Sequence, residues 1–134
     1  MNNKENSEQI IFTNHIMNSD EDASIVQELC VGFTNNHKLV VSINHFDYND
    51  PRYNCSTWAV VNADDAYRLS RRLQVSLHKL PMAICEYMSD WCEIVNPSVS
   101  QVQACFKEIT ECLLDEGCHF RIRRSYGLCG FYCC

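Results

Sequence analysis

With 134 residues, 46% of them hydrophobic and 21% charged, the chain has the composition of one folded globular domain and not of a disordered or fibrous one. A domain of this size buries roughly two thirds of the surface that its unfolded chain exposes, so its core needs neither metal nor disulfide staples. A net charge of −6 speaks against an ordinary nucleic-acid binder, whose phosphate contacts call for a basic excess, and no stretch reaches the ~18 consecutive apolar residues of a membrane span.

Residues 1–9 lack a basic start followed by an apolar run of signal-peptide length. They read as a flexible polar tail ahead of a single domain over residues 10–134. This points to a cytoplasmic protein with no membrane partner, in which a reducing environment keeps the ten cysteines as thiols.

Residues 10–17 are apolar without a clean period, which fits a short strand better than a helical turn. After an acidic run from Asp20 to Asp22, two patterns overlap. Ile25, Leu29, Val31 and Phe33 suit one face of a strand, whereas Ile25, Val26, Leu29 and Cys30 suit a helical stripe. Turn-type residues at 34–38 and the alternation of Leu39, Val41 and Ile43 with Val40, Ser42 and Asn44 favour a hairpin.

A polar segment from Asp47 to Asn54 follows, dotted with Tyr48 and Tyr53, before Thr57–Val61 resumes a strand. Asn62 stands where it can cap a helix with Asp64 and Asp65 in its first turn. Ala66, Leu69, Leu73, Leu77 and Leu80 step by three or four and predict one helix running up to Pro81. Pro81 can open the next helix, whose stripe is Ile84, Met88, Trp91 and Val95.

Ser98 and Gln101 stand at capping-box spacing, Val99, Val102, Phe106, Ile109 and Leu113 share a face, and Gly117 suits a left-handed cap. Cys118–Ser125 then alternates as a strand, with Phe120 and Ile122 facing one way and Arg121 and Arg123 the other. The sum is an α+β fold: a mainly antiparallel sheet, built from the hairpin and further strands, with about three helices packed on one face.

No signature of a reaction stands out. The five histidines, His15, His37, His45, His78 and His119, are scattered, and no G-x-S-x-G turn, Gly-rich phosphate loop or H-E-x-x-H occurs. No cofactor and no catalytic residue is expected. Cys85 and Cys92, like Cys105 and Cys112, flank apolar helical stripes, where thiols act as small hydrophobes. Cys118, His119, Cys129, Cys133 and Cys134 form a denser group, and the four cysteines are the candidate metal ligands, but they lack paired C-x-x-C knuckles. In a strand, Cys118 and His119 would point to opposite faces.

Charge is divided unevenly. Residues 80–117 hold seven acids and one base, residues 64–79 two acids and four bases, and residues 118–134 three bases alone. The predicted angles place Arg68, Arg71 and Arg72 opposite the leucine stripe of their helix. If Arg121 and Arg123 lie beside them, an anion or an RNA strand could bind there. Tyr48, Arg52 and Tyr53 suit a protein contact surface, where both residue types are enriched. The leading expectation is a protein-interaction module that binds another protein or itself, the alternatives being anion or nucleic-acid binding and a thiol-based metal or redox function.

Overall fold

The structure is a computed structural model and describes residues 9–126. Five strands form one antiparallel sheet in sequence order: β1 (Ile10–Asn18), β2 (Ile25–Thr34), β3 (Leu39–Asp47), β4 (Cys55–Val61) and β5 (Phe120–Tyr126). Among the described residues the α-helices lie between β4 and β5: α1 (Ala63–Arg72), α2 (Leu80–Tyr87), the short α3 (Ser89–Cys92) and α4 (Val99–Asp115). The α+β class expected from the sequence is thus the observed one. Among the described residues no helix is long and apolar enough to cross a membrane.

Side-chain alternation explains the layering. Val31 pairs with Val41, Val41 with Ala59, and Ala59 with Ile122 across the sheet. Leu29, Val31, Leu39, Val41, Ala59 and Val61 therefore share one face, which packs on Leu69, Leu80, Ile84, Val102, Ile109 and Leu113 of the helices. Burying each such side chain contributes about 1.5–3 kcal/mol.

β1 shows why residues 10–17 carry no period. The register shifts between Ile10 and Phe12 and again between His15 and Met17, so Ile16 is an extra residue that lets it and Met17 both be buried. The β2–β3 hairpin forms as expected, and the overlapping helical stripe at 25–30 gives way to the sheet. Of the polar tail only Gln9 falls within the described residues; its carbonyl accepts the Asn35 N–H at 3.0 Å.

The helical layer departs from the pattern in four places. Asn62 sits at the cap of α1, but its side chain makes no capping hydrogen bond. α1 ends at Arg72, not at Leu80: Gln74 turns left-handed at φ 61°, and a 3-10 turn over Leu77–Lys79 leads into α2. An unbroken helix would carry Leu80 about 25 Å from Ala63, whereas the turn returns it to the core, where it is fully buried in the cluster that holds Ile16 and Leu29. The helix expected to reach Val95 breaks at Met88, ends at Cys92 and leaves Val95 82% exposed. Finally, the last strand starts at Phe120, two residues later than its alternation implied, with buried Cys118 ahead of it. The Ser98–Gln101 capping box and the left-handed Gly117, at φ 85°, are as expected.

Candidate functional site

The β3–β4 connection was singled out by its tyrosines, and its polar groups bond to one another. The Asp47 carboxylate accepts the N–H groups of Asn49 and Asp50, each at 3.0 Å. Asp50 in turn accepts the Arg52 N–H at 3.2 Å and grips the guanidinium with both oxygens, at 2.9 and 2.8 Å. Buried Asn54 closes the loop by accepting the Asp47 N–H at 2.6 Å, and Tyr48 N–H reaches across to the Ser24 carbonyl at 2.8 Å. The Arg52 guanidinium holds the Asp50 carboxyl below its ordinary range.

The Asn54 anchor of this network is buried, while Arg52 and the two rings lie exposed. Tyr48 is 65% and Tyr53 64% exposed, and Tyr48 stacks on Phe46 with centroids 6.3 Å apart. Arg52 stands beside them, fixed by its acid partner.

The five arginines fall into two groups. On α1, Arg68 binds Asp65, Arg71 lies over the Tyr67 ring at 5.7 Å, and Arg72 reaches Glu116 through both its carboxylate and its carbonyl, each at 3.0 Å. Arg121 and Arg123 lie opposite Val60 and Trp58, on the sheet face turned away from the helices, and Arg123 covers the Trp58 ring at 5.3 Å. The helix and strand arginines are thus divided between the two sides of the sheet, and the three on α1 are engaged by acids or an aromatic. Buried Asp65 also accepts the His119 N–H at 3.0 Å, tying α1 to the entry of β5.

Cys118 is buried, with its thiol directed at the Asp65 carbonyl at 3.9 Å, while the side chain of His119 is exposed. The other candidate ligands, Cys129, Cys133 and Cys134, lie outside the described residues. Among the described residues no three His, Cys, Asp or Glu side chains gather as a metal site. Cys105 is buried as expected, but Cys92 is exposed. Cys85 and Cys92 donate to the consecutive carbonyls of His15, at 3.9 Å, and Ile16, at 3.1 Å, where β1 bulges. Burial pushes the thiols of Cys30 and Cys105 up to about 12 and that of Cys85 to about 11. Such thiols stay protonated at neutral pH and are poor nucleophiles.

One feature escaped the sequence pattern altogether. Where α1 stops and the chain turns, a cleft of about 300 Å³ opens between α1, α2 and α4. Its walls are Leu69, Val75, Ala83, Ile84, Ile109 and Leu113, and Glu86, Tyr87, Cys112 and Glu116 stand at its edge. The Cys112 sulfur and the Tyr87 hydroxyl lie 3.8 Å apart. The Cys112 neighbour, burial and the charges of Glu108 and Glu116 disfavour the phenolate and push the phenol above its usual value. The signal that could have exposed the cleft was Val75, which an unbroken helix would turn about 200° away from Leu73, onto its polar side.

No family model, no curated protein and no solved structure matches this chain.

Proposed function

We propose that this chain is a small protein-interaction module, without a catalytic site of its own, whose contact surface is the Asp47–Asn54 loop. The observation that carries this is the pair of tyrosines held outward by a loop whose polar groups bond to one another. A loop that is ordered before it meets a partner loses little conformational entropy on binding. Tyrosine supplies large contact area with only two side-chain torsions, which is why binding surfaces are rich in it. Arg52 adds a planar donor already oriented by Asp50. The raised thiols of Cys30, Cys85 and Cys105 agree with a binding role and not with nucleophilic chemistry.

The test compares the full chain with its Tyr48→Ala/Tyr53→Ala variant as baits in quantitative cross-linking mass spectrometry. Truncating interface tyrosines at a binding centre costs 2 kcal/mol or more, roughly thirtyfold in affinity. The expected result is a partner whose recovery falls at least about tenfold in the variant, with its melting temperature unchanged. Equal recovery by both baits would refute the assignment.

A further inference from the structure

We infer that the cleft between α1, α2 and α4 is a second binding site, which takes a basic amphipathic helix of a partner protein and buries one of its apolar side chains. The interior is apolar, and a volume of about 300 Å³ lies at the lower end for small-molecule sites. It is ample for a single leucine or aromatic side chain. The apolar surface does not stop at the mouth: Leu73, Met82 and Tyr87 are 43%, 50% and 70% exposed. Exposed apolar surface continuing from a cavity is the form of a groove that receives an amphipathic helix.

Charge selects the kind of helix. Glu86 and Glu116 stand at the edge, and Glu108 is close enough to act on Tyr87. The segment 80–117 that supplies α2 and α4 carries seven acids against the single base Lys107. Arg72 stands beside the mouth and pairs with Glu116 at 3.0 Å, so these two charges offset one another and the net attraction comes from Glu86 and Glu108. An approaching helix with lysine or arginine around its apolar anchor meets attraction on the α2 and α4 sides, whereas an acidic one meets repulsion. The Tyr87 hydroxyl and the Cys112 thiol add polar groups at the edge.

The test uses a dye-labelled helical peptide of roughly 18 residues, with leucines at i, i+3, i+4 and i+7 and lysines elsewhere. Fluorescence anisotropy follows its binding to the full chain, beside a counterpart with glutamate for lysine and a scrambled Leu/Lys peptide. The amphipathic Lys peptide is expected to bind at least ~10-fold more tightly than either control. Ala83→Trp fills the cleft without altering charge and is expected to weaken binding at least ~10-fold; Leu73→Lys, at an exposed position, removes apolar surface and repels the peptide's lysines, and is expected to do the same. The Tyr48→Ala/Tyr53→Ala variant is expected to bind the peptide unchanged, so that this site and the loop stand or fall separately. Equal binding of the scrambled peptide, or undiminished binding by both cleft variants, overturns the inference. So does displacement of the peptide by hexylamine at equal concentration, which would make the site one for a small hydrophobic amine.

Discussion

The Asp47–Asn54 loop and the Leu73–Ser76 turn both redirect the chain between elements that pack on the same sheet, yet they are built in opposite ways. The loop is organised from within: two aspartates and an asparagine supply acceptors for its own N–H groups, and no described residue in it has a left-handed backbone. The turn has no side-chain chemistry of its own. Left-handed Gln74 and the next residue, Val75, close α1 through backbone bonds to the carbonyls of Arg71, at 3.1 Å, and Ser70, at 3.0 Å. Ser76 makes no side-chain cap, and what selects this path is the burial of Leu80, with Val75 and Leu77 half-buried. Local polar chemistry writes itself into the residue types of a segment, whereas a turn imposed by packing borrows residues that would serve a helix equally well.

The contrast breaks most easily at Asn54. Replacing it by alanine strands the Asp47 N–H, which Asn54 now satisfies at 2.6 Å in a buried setting. Leaving such a donor unpaired costs about 1–3 kcal/mol, and urea unfolding should register that loss while the amide signals of residues 47–54 shift together. If stability holds within about 0.5 kcal/mol, the loop is not organised from within and its resemblance to the packing-imposed turn is closer than its bonds suggest.

The same contrast explains what could be read from residues alone. The sheet was legible at β2, β3 and β4 because alternate residues, Leu29, Val31 and Phe33, Leu39 and Val41, Ala59 and Val61, enter the core beneath the helices. β1 was legible only as a short strand without an assignable face, because its bulge at Ile16 destroys the period of two on which such reading depends. The helical stripe from Ala66 to Leu80 named Ala66, Leu69 and Leu80 as buried correctly, but Leu73 is 43% exposed and the helix end was placed eight residues too late. Tyr48, Arg52 and Tyr53 were legible as a surface from composition. The arginines were legible as polar-face residues, but not the side of the sheet on which each would emerge, which depends on how α1 crosses it. The cleft was beyond sequence reading because its walls come from residues 69–75, 83–88 and 109–116, segments whose meeting is purely tertiary.

At Gln74 the two ways of building a turn predict opposite signs. With φ at 61°, a side chain costs about 1–2 kcal/mol over glycine, part of which is offset by glycine's greater freedom when unfolded. Gln74→Gly should therefore raise stability by up to about 1 kcal/mol, seen as a higher urea midpoint at unchanged slope. Were the helix in fact continuous through this point, as the leucine stripe implies, the same substitution would lower stability by about 1 kcal/mol. The sign alone decides, and it decides the existence of the cleft as well, because a continuous helix would close it.

The smallest effect belongs to Asp50, and it tests the loop without disturbing the core. Its carboxyl titrates below the ordinary 3.8 chiefly because the Arg52 guanidinium bonds to it, with the Arg52 N–H acting in the same direction. A depressed folded value means that the clamp's contribution is complete above the unfolded carboxyl's range and is lost as pH falls through the folded value. The Arg52 side chain is 82% exposed and the pair lies at the surface, so the effect on global stability is small, and the proper observable is local. A carbon-detected NMR titration should show the Asp50 side chain titrating below its unfolded counterpart, and Arg52→Ala should return it towards the ordinary value. The ring signals of Tyr48 and Tyr53 should sharpen or broaden over that acid window and nowhere above it, because acid releases only the clamp while the Asn54 bond to Asp47 persists. If Asp50 titrates normally in the intact chain, Arg52 is loose in solution, and the ordering that favours the loop as a contact surface rests on Asp47 and Asn54 alone.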